Sequence, residues 1–285
     1  MVGQKSVLVV VGAGAMGNSI VRRLGSSAVV VLADTDAVVL AETAEAFAIA
    51  GYETHSRTAD ITSAAAVAEL AEYAASLGPV TRVALTAGLV PSYTVTPRDL
   101  FTVDLVGVAH VLDAFGEVIA PGGAGVVIAS MAGHMLPPLQ FEQQLAIAGT
   151  PAADLLTLPF LNPDYYDNAG VAYAMAKQAS LIRVRAASVR WGRRSARVNS
   201  ISPGTISSAA TQQELSTEHA GADAAVVDGI RDMISRSPIP RMGTSDEIAA
   251  VAEFLLGPGS SFVTGTDVLV DGGAVASTLL AGVSS

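Results

Sequence analysis

Short apolar runs rich in β-branched residues alternate with alanine-rich segments of helical length along almost the whole chain, and this rhythm admits few folds. A strand that is apolar throughout is buried on both faces, and a series of such strands separated by helices forms a parallel sheet with helical crossovers. The pattern predicts strands at 6–11, 28–33, 52–57, 82–86, 125–130, 197–201 and 267–270. Helices are predicted at 15–24, 36–50, 63–77, 97–119, 171–193, 222–236 and 245–256. Thr244-Ser245-Asp246-Glu247 supplies an N-cap and first-turn acids for the last of them. The expected fold class is α/β, a doubly wound parallel sheet of about seven strands with helices on both faces. No linker, repeat or charge run divides the 285 residues, so residues 1–285 are read as a single domain.

Composition narrows the setting. The chain is 51% hydrophobic and only 15% charged, which suits a large buried sheet and an oligomer that hides further apolar surface. A net charge of −10 argues against a nucleic-acid partner or an anionic membrane surface. Residues 183–197 hold six of the 16 Lys and Arg residues, read here as the cationic C-terminal half of a helix. No apolar run approaches the roughly 18–20 residues that span a bilayer. Met1 to Lys5 lead straight into a strand, leaving no room for a secretory signal, and there is no cysteine; a cytoplasmic location is expected. His55, His110, His134 and His219 have no metal-ligand spacing, so no metal is expected, and Asp164/Asp167 and Glu42/Glu45 read as solvated faces.

The motifs carry the chemistry. Val7 to Val11 run into Gly12-Ala13-Gly14-Ala15-Met16-Gly17, and strand, glycine loop and helix together mark a dinucleotide site of Rossmann type. Gly12 allows the tight turn, Gly14 the approach of a pyrophosphate, and Gly17 close helix packing. The phosphates then rest on the free N–H groups of the following helix. Asp34 ends the second strand at the position where an acid accepts hydrogen bonds from both adenosine ribose hydroxyls and repels a 2′-phosphate. The expected cofactor is NAD. Tyr173 and Lys177 lie four residues apart, on one face of a helix, and Ser130 closes the apolar run 125–129. A cation beside a phenol favours the phenolate, so Lys177 would bring Tyr173 within reach of acid–base work near neutrality. Ser130 would donate a hydrogen bond to a substrate oxygen as charge develops there. A secondary alcohol handled in this way loses a proton to Tyr173 and a hydride to the nicotinamide.

Together these residues resemble the short-chain dehydrogenase/reductase family over essentially the whole chain. Thr86-Ala87-Gly88 is similar to the family's Asn-Ala-Gly after the fourth strand, and Asp60-Ile61 to its adenine-contacting pair. Asn199 to Gly204 resembles the end of its sixth strand, which implies that Pro203 and Gly204 border nicotinamide. Ile206 follows in the same cofactor-binding stretch, and Ser208 takes the position of a hydroxyl that contacts the carboxamide. Thr266 to Gly273 resembles the last strand and its exit.

Three features depart from the pattern. Met16 and Asn18 stand where the family's loop has glycine. Asp104 replaces the asparagine that holds a relay water in the family; its carboxylate could bind that water, but its charge beside Lys177, as the resemblance implies, would alter the proton relay. Ser130 and Tyr173 are also separated by far more residues than usual, because an insert occupies about 134–168. That insert contains five prolines, Phe141, Phe160, Tyr165 and Tyr166, and reads as a lid, binding loop or interface element.

The insert, with Val111-Leu112-Asp113-Ala114-Phe115, resembles the bacterial 3α-hydroxysteroid dehydrogenase/carbonyl reductase branch. The resemblance implies an NAD-dependent oxidoreductase acting on a small hydrophobic secondary alcohol such as a hydroxysteroid, or on its ketone. It also implies a homo-oligomer built on helices 97–119 and 171–193, tetramer preferred over dimer. An NAD(H)-binding regulatory or scaffold protein of the same fold is the alternative. An enoyl reductase is set aside, because that branch spaces its tyrosine and lysine more widely.

Overall fold

The computed structural model describes residues 5–92, 94–208, 211–212 and 224–280. The first half runs β1 (Val7–Val11), α1 (Ala15–Leu24), β2 (Val29–Asp34), α2 (Ala37–Ile49), β3 (Glu53–Thr58), α3 (Ala64–Leu77), β4 (Val80–Leu85) and α4 (Pro97–Phe101). A π-helical stretch at Thr102–Gly107 leads into α5 (Val108–Val118) and β5 (Ile119–Ile128). Then come α6 (Phe141–Gly149), α7 (Ala169–Gly192), β6 (Arg197–Pro203), β7 (Ile206–Ser207), α8 (Ala224–Arg236), β8 (Gly243–Thr244), α9 (Ser245–Leu256), β9 (Asp267–Val270) and α10 (Ala274–Leu279).

Seven strands form one parallel sheet in the order β3-β2-β1-β4-β5-β6-β9, and β7 pairs with β8 in a separate ribbon. The expected doubly wound α/β sheet is therefore present. All five residues of β1 are buried, which is why its sequence shows no alternation. On one face Val7, Val9 and Val11 pack with Val67 and Leu70 of α3, Phe115 of α5 and Trp191 of α7. On the other, Leu8 and Val10 pack with Ile20 of α1, Phe47 of α2 and Ile248 of α9. Strand order reverses between β1 and β4, so the crevice where such sheets bind ligands opens at the carboxyl ends of these two strands.

Several boundaries differ from the sequence reading, for local reasons. Strand β5 starts at Ile119 rather than 125: Ile119 pairs with Val80, the Pro-Gly-Gly segment bulges, and pairing resumes at Ala124. It stops at Ile128, so Ser130 lies beyond the strand and caps the 3₁₀ turn Met131–His134. The helix expected over 97–119 is broken by the π-helical stretch. The helix predicted from 222 is described from Ala224, residues 222–223 lying outside the described set.

The stretch 134–168 holds more structure than its prolines suggested. It contains α6 and three short 3₁₀ turns, and its Ile147, Leu155 and Leu161 form a third core with Leu100, Phe101, Leu105, Ala172, Ala176 and Ala179. The basic cluster also proves less uniform than a solvated cationic helix end. Arg183 is buried and donates to the carbonyls of Ile147 and Thr150, tying the end of α6 to α7. Arg197 donates to the Leu255 and Gly257 carbonyls at the end of α9. Helix ends leave carbonyls without intrahelical donors, and a guanidinium with five N–H groups satisfies several at once.

Trp191 closes the α5–α7 side of the core. It is fully buried, donates to Leu112 O at 3.0 Å, and lies against Gly116 and Gly125, where an added Cβ would come within 2.9 and 2.7 Å of the indole. Trp191→Ala is expected to destabilise the fold by about 3–5 kcal/mol, read as a lower urea midpoint by circular dichroism, and Trp191→Phe by less.

Candidate active site

Backbone packing at the switch point builds the site. Gly12 has φ +112°, and a Cβ there would stand 2.5 Å from both Ala87 N and Thr86 Oγ1. Thr86 N and Ala87 N both donate to Val11 O, and Thr86 Oγ1 donates to Gly12 O at 3.0 Å. The threonine that stands where the family pattern has asparagine thus clamps the glycine loop to the end of β4. At Gly17 a Cβ would lie 2.1 Å from Gly12 O, so the helix can pack this closely only without a side chain. Gly14 differs from both: a Cβ there meets nothing within 4 Å. Gly14 is also the N-cap of α1, makes no side-chain cap, and is followed by a first turn without acids. Open space over uncapped N–H groups fits a pyrophosphate. Met16, by contrast, is half-buried against the core beneath α1.

Asp34 reaches back to this loop, with Oδ2 accepting from Ala13 N at 2.8 Å and Oδ1 from Asp36 N at 3.1 Å. A carboxylate accepts about four hydrogen bonds, so both oxygens retain capacity for ribose hydroxyls. Asp60 caps its own turn through Thr62, while Ile61 is buried beneath Gly107. At the other end of the crevice Pro203 is buried and Gly204 donates to Val270 O. Ile206 and Ser208 follow half-buried, Ser208 Oγ accepting from Thr211 N at 3.1 Å.

Helix α7 carries the ionisable centre. Lys177 is buried, its Nζ lies 3.0 Å from Asp104 Oδ1, and Asp104 is wholly buried on the π-helical stretch. Asp104 Oδ1 also accepts from Leu89 N, its backbone carbonyl accepts from Ser180 Oγ, and Oδ2 is buried without a hydrogen-bond partner among the described residues. Lys177 Nζ stands 5.5 Å from the centre of the Tyr173 ring. Gly88 seals the arrangement, since a Cβ there would approach Asp104 Oδ1 to 2.8 Å and Lys177 Nζ to 3.1 Å. Burial pushes the Asp104 carboxyl up, with Lys177 pulling the other way. For Lys177 burial acts to lower the ammonium's pKa, but the attraction of Asp104 and Tyr173 outweighs it and the net direction is up. Both shifts run upward, so each group keeps its proton to higher pH than it would in water.

Ser130 reaches this centre through its turn. A Cβ at Gly133 would lie 3.0 Å from Gln178 N, so the turn that Ser130 caps rests directly on the α7 backbone beside Lys177. Gln178 fastens it by donating to Gly133 O at 3.2 Å, to Pro137 O at 3.3 Å and to Leu136 O at 3.4 Å. His134, at the end of the same turn, lies 2.8 Å from Asp267 Oδ2 on β9. Sequence reading missed Gln178, Ser180 and the His134–Asp267 pair. Only the position of Gln178, next to the Tyr/Lys pair, could have drawn attention to any of them.

Comparison with known proteins agrees with this frame. A family profile described as Enoyl-(Acyl carrier protein) reductase matches residues 143–275. The short-chain dehydrogenase/reductase bsc3 of Alternaria brassicicola is 39% identical over 275 residues, covering 95% of this chain and 96% of that protein. The chain belongs to the short-chain dehydrogenase/reductase family. It is an oxidoreductase of the alcohol dehydrogenase and carbonyl reductase type, and its family works with nicotinamide cofactors. The 3-alpha-hydroxysteroid dehydrogenase/carbonyl reductase of Comamonas testosteroni is a more distant relative, 29% identical over 66% of this chain and 70% of its own. Among solved structures, a short-chain type dehydrogenase/reductase from Mycobacterium ulcerans matches with a TM-score of 0.74 at 22% identity, covering 99% of this chain and 95% of that one. The alternative of a regulatory or scaffold protein finds no support in these comparisons.

In this short-chain dehydrogenase/reductase, Gly88→Ala is expected to force Asp104 and Lys177 apart. The expected outcome is a loss of about 1–3 kcal/mol in urea denaturation, with a lower kcat.

Proposed function

We propose that the protein is an NAD-dependent oxidoreductase that interconverts a hydrophobic secondary alcohol and its ketone, a hydroxysteroid being one alcohol of the right class. The observation that carries this reading is the buried Lys177–Asp104 pair at the crevice mouth, beside Tyr173 and under the Ser130 turn. Tyr173 acts as the acid and base. Lys177 and Asp104 set the electrostatics around it, and Ser130 donates a hydrogen bond to the substrate oxygen. The cofactor would rest on Gly12, Gly14, Met16 and Gly17, with Asp34 toward the ribose and Asp60 and Ile61 toward adenine. Ala87, Gly88, Pro203, Gly204, Ile206 and Ser208 would line the path to nicotinamide, with Tyr173 and Lys177 beside it.

When bound, the cofactor supplies or accepts the hydride. The protein's own residues do the rest. In reduction, Tyr173 gives its phenolic proton to the carbonyl oxygen while Ser130 holds that oxygen in place; in alcohol oxidation, the phenolate takes the proton back.

The preference for NAD is supported by the surroundings of Asp34. The cation on the neighbouring strand, Arg57, is in register with Ala33, so its side chain leaves the opposite face of the sheet. Its guanidinium stacks 3.5 Å over the Tyr73 ring on α3. The apolar substrate is supported by residues 134–168, which we read as an insert within a single domain. Leu139, Leu156, Leu158, Phe160 and Tyr166 are half-buried and belong to the same cluster as Tyr173. Burial of apolar area would dominate the binding of a ligand against these side chains. A cytoplasmic homo-oligomer, tetramer before dimer, completes the reading. Among the described residues no helix is long and apolar enough to cross a membrane.

A panel of hydroxysteroids and smaller secondary alcohols, followed by NADH absorbance, is expected to give turnover with NAD and little with NADP. Turnover with NADP alone would overturn the reading of Asp34. Tyr173→Phe is expected to lower kcat by about 100- to 10,000-fold with NADH binding nearly unchanged; unchanged turnover would remove Tyr173 from the chemistry. Light scattering at micromolar concentration is expected to show an oligomer, and a monomer would refute it.

A further inference from the structure

The inference that follows rests on the reading of Tyr173 as the acid and base, and concerns what decides when it ionises. A lysine one helical turn from a phenol normally presents a net positive charge that draws the phenolic proton off. Here the ammonium does not stand alone. Asp104 Oδ1 is 3.0 Å from Nζ, both groups are buried, and this is the one ion pair that either makes among the described residues. At that distance the carboxylate offsets the ammonium, so the contact presents Tyr173 with a dipole instead of a single positive charge, and a dipole's field falls off faster.

We propose that Asp104 is a positioning residue that acts as the built-in counter-charge of Lys177, so that Tyr173 keeps its proton to higher pH and the site favours ketone reduction near neutrality.

Among the described residues, the other charges on the surrounding elements are paired or turned away: His134 on the Ser130 turn pairs with Asp267, Glu142 on α6 is exposed, and Arg197 on β6 donates to the carbonyls at the end of α9. From α7 come Lys177, Tyr173 and the neutral Ser180; from the segment after β4, the backbone of Gly88 and Leu89. On α4, Arg98 is exposed and paired with Asp164, and Asp99 is spent on its capping box with Thr96. On α5, His110 turns to Ile61 O, and Asp113 pairs with Arg183 and Arg190. The 3₁₀ turn Ala152–Thr157 contributes buried Leu155, while Asp154 is exposed.

The direction of the effect follows from the reaction. In reduction the carbonyl carbon takes up the hydride given by NADH, the carbonyl oxygen takes the Tyr173 proton, and the resulting phenolate is reprotonated from the medium. Oxidation reverses each transfer and so needs the phenolate. A counter-charge that raises the ionisation pH of Tyr173 moves the acid limb of oxidation upward and extends reduction to higher pH.

Asp104→Asn keeps the shape and removes the charge. In the full-length protein, ultraviolet difference titration of phenolate, with a Tyr173→Phe background subtracted, is expected to show Tyr173 ionising about one pH unit lower. The acid limb of kcat/KM for alcohol oxidation is expected to move down by the same amount, whereas Asp104→Glu keeps the original titration. If Asp104→Asn fails to fold, Asp104→Ser provides a second neutral variant for the same titration. An unmoved phenolate titration in a folded neutral variant overturns the proposal, even where kcat falls. The two readings fail separately. Full turnover in Tyr173→Phe would sink the acid–base role, whereas a loss of turnover there combined with an unmoved titration in Asp104→Asn would sink only the counter-charge.

Discussion

A parallel sheet buried on both faces leaves chemistry almost nowhere to go except the ends of its strands. The β1 valines that fill both cores cannot host a polar group without leaving it unpaired, so function collects where the chain exits the sheet. At the switch point two such exits meet so closely that the β1 loop accepts no side chain at Gly12 or Gly17, and the Thr86 hydroxyl fills the remaining space. The same close packing sets the entry of α1 and presents its uncapped N–H groups to the crevice. The packing of the sheet therefore fixes the shape of the loop at the switch point as well.

Helix α7 carries that constraint to the reacting end. Val184, Ala187 and Trp191 in its C-terminal half anchor it to the sheet, while Ala172, Ala176 and Ala179 in its N-terminal half pack in the third core with α4 and the 134–168 segment. Between the two halves lies Lys177, with Asp104 reaching it across a π-helical stretch and Gln178 holding the turn after Ser130. Two buried charges in contact are costly to desolvate and strongly attractive once dry. The 134–168 segment is bound to this arrangement by Arg183 and by its own apolar side chains, so it is part of the packed core and not a free loop.

Much of this was legible in the chain. Seven predicted runs became the seven strands of the sheet, the interior ones because a doubly buried strand needs an apolar sequence, whereas the edge strand β3 reads Glu-Thr-His-Ser-Arg-Thr; Asp267–Val270 was placed to the residue. The glycine loop, Asp34 and the Tyr173/Lys177 pair declared themselves through spacing alone, since a turn, a strand end and a helical repeat are local geometries. Where non-local forces ruled, the reading slipped. The Pro-Gly-Gly bulge hid the start of β5, and prolines hid α6, whose stability comes from burying Ile147 and from Arg183 at its end.

The sequence by itself thus determined the fold class, the family and the identity of the ionisable groups, because each is written in short-range pattern. The resemblance implied that Asp104 stands beside Lys177; only the tertiary structure decided that Gln178 pins the Ser130 turn and that Arg183 is a buried clasp rather than a surface charge. Side chains distant in sequence become partners only when packing excludes water and leaves each polar group a single place to find its hydrogen bonds.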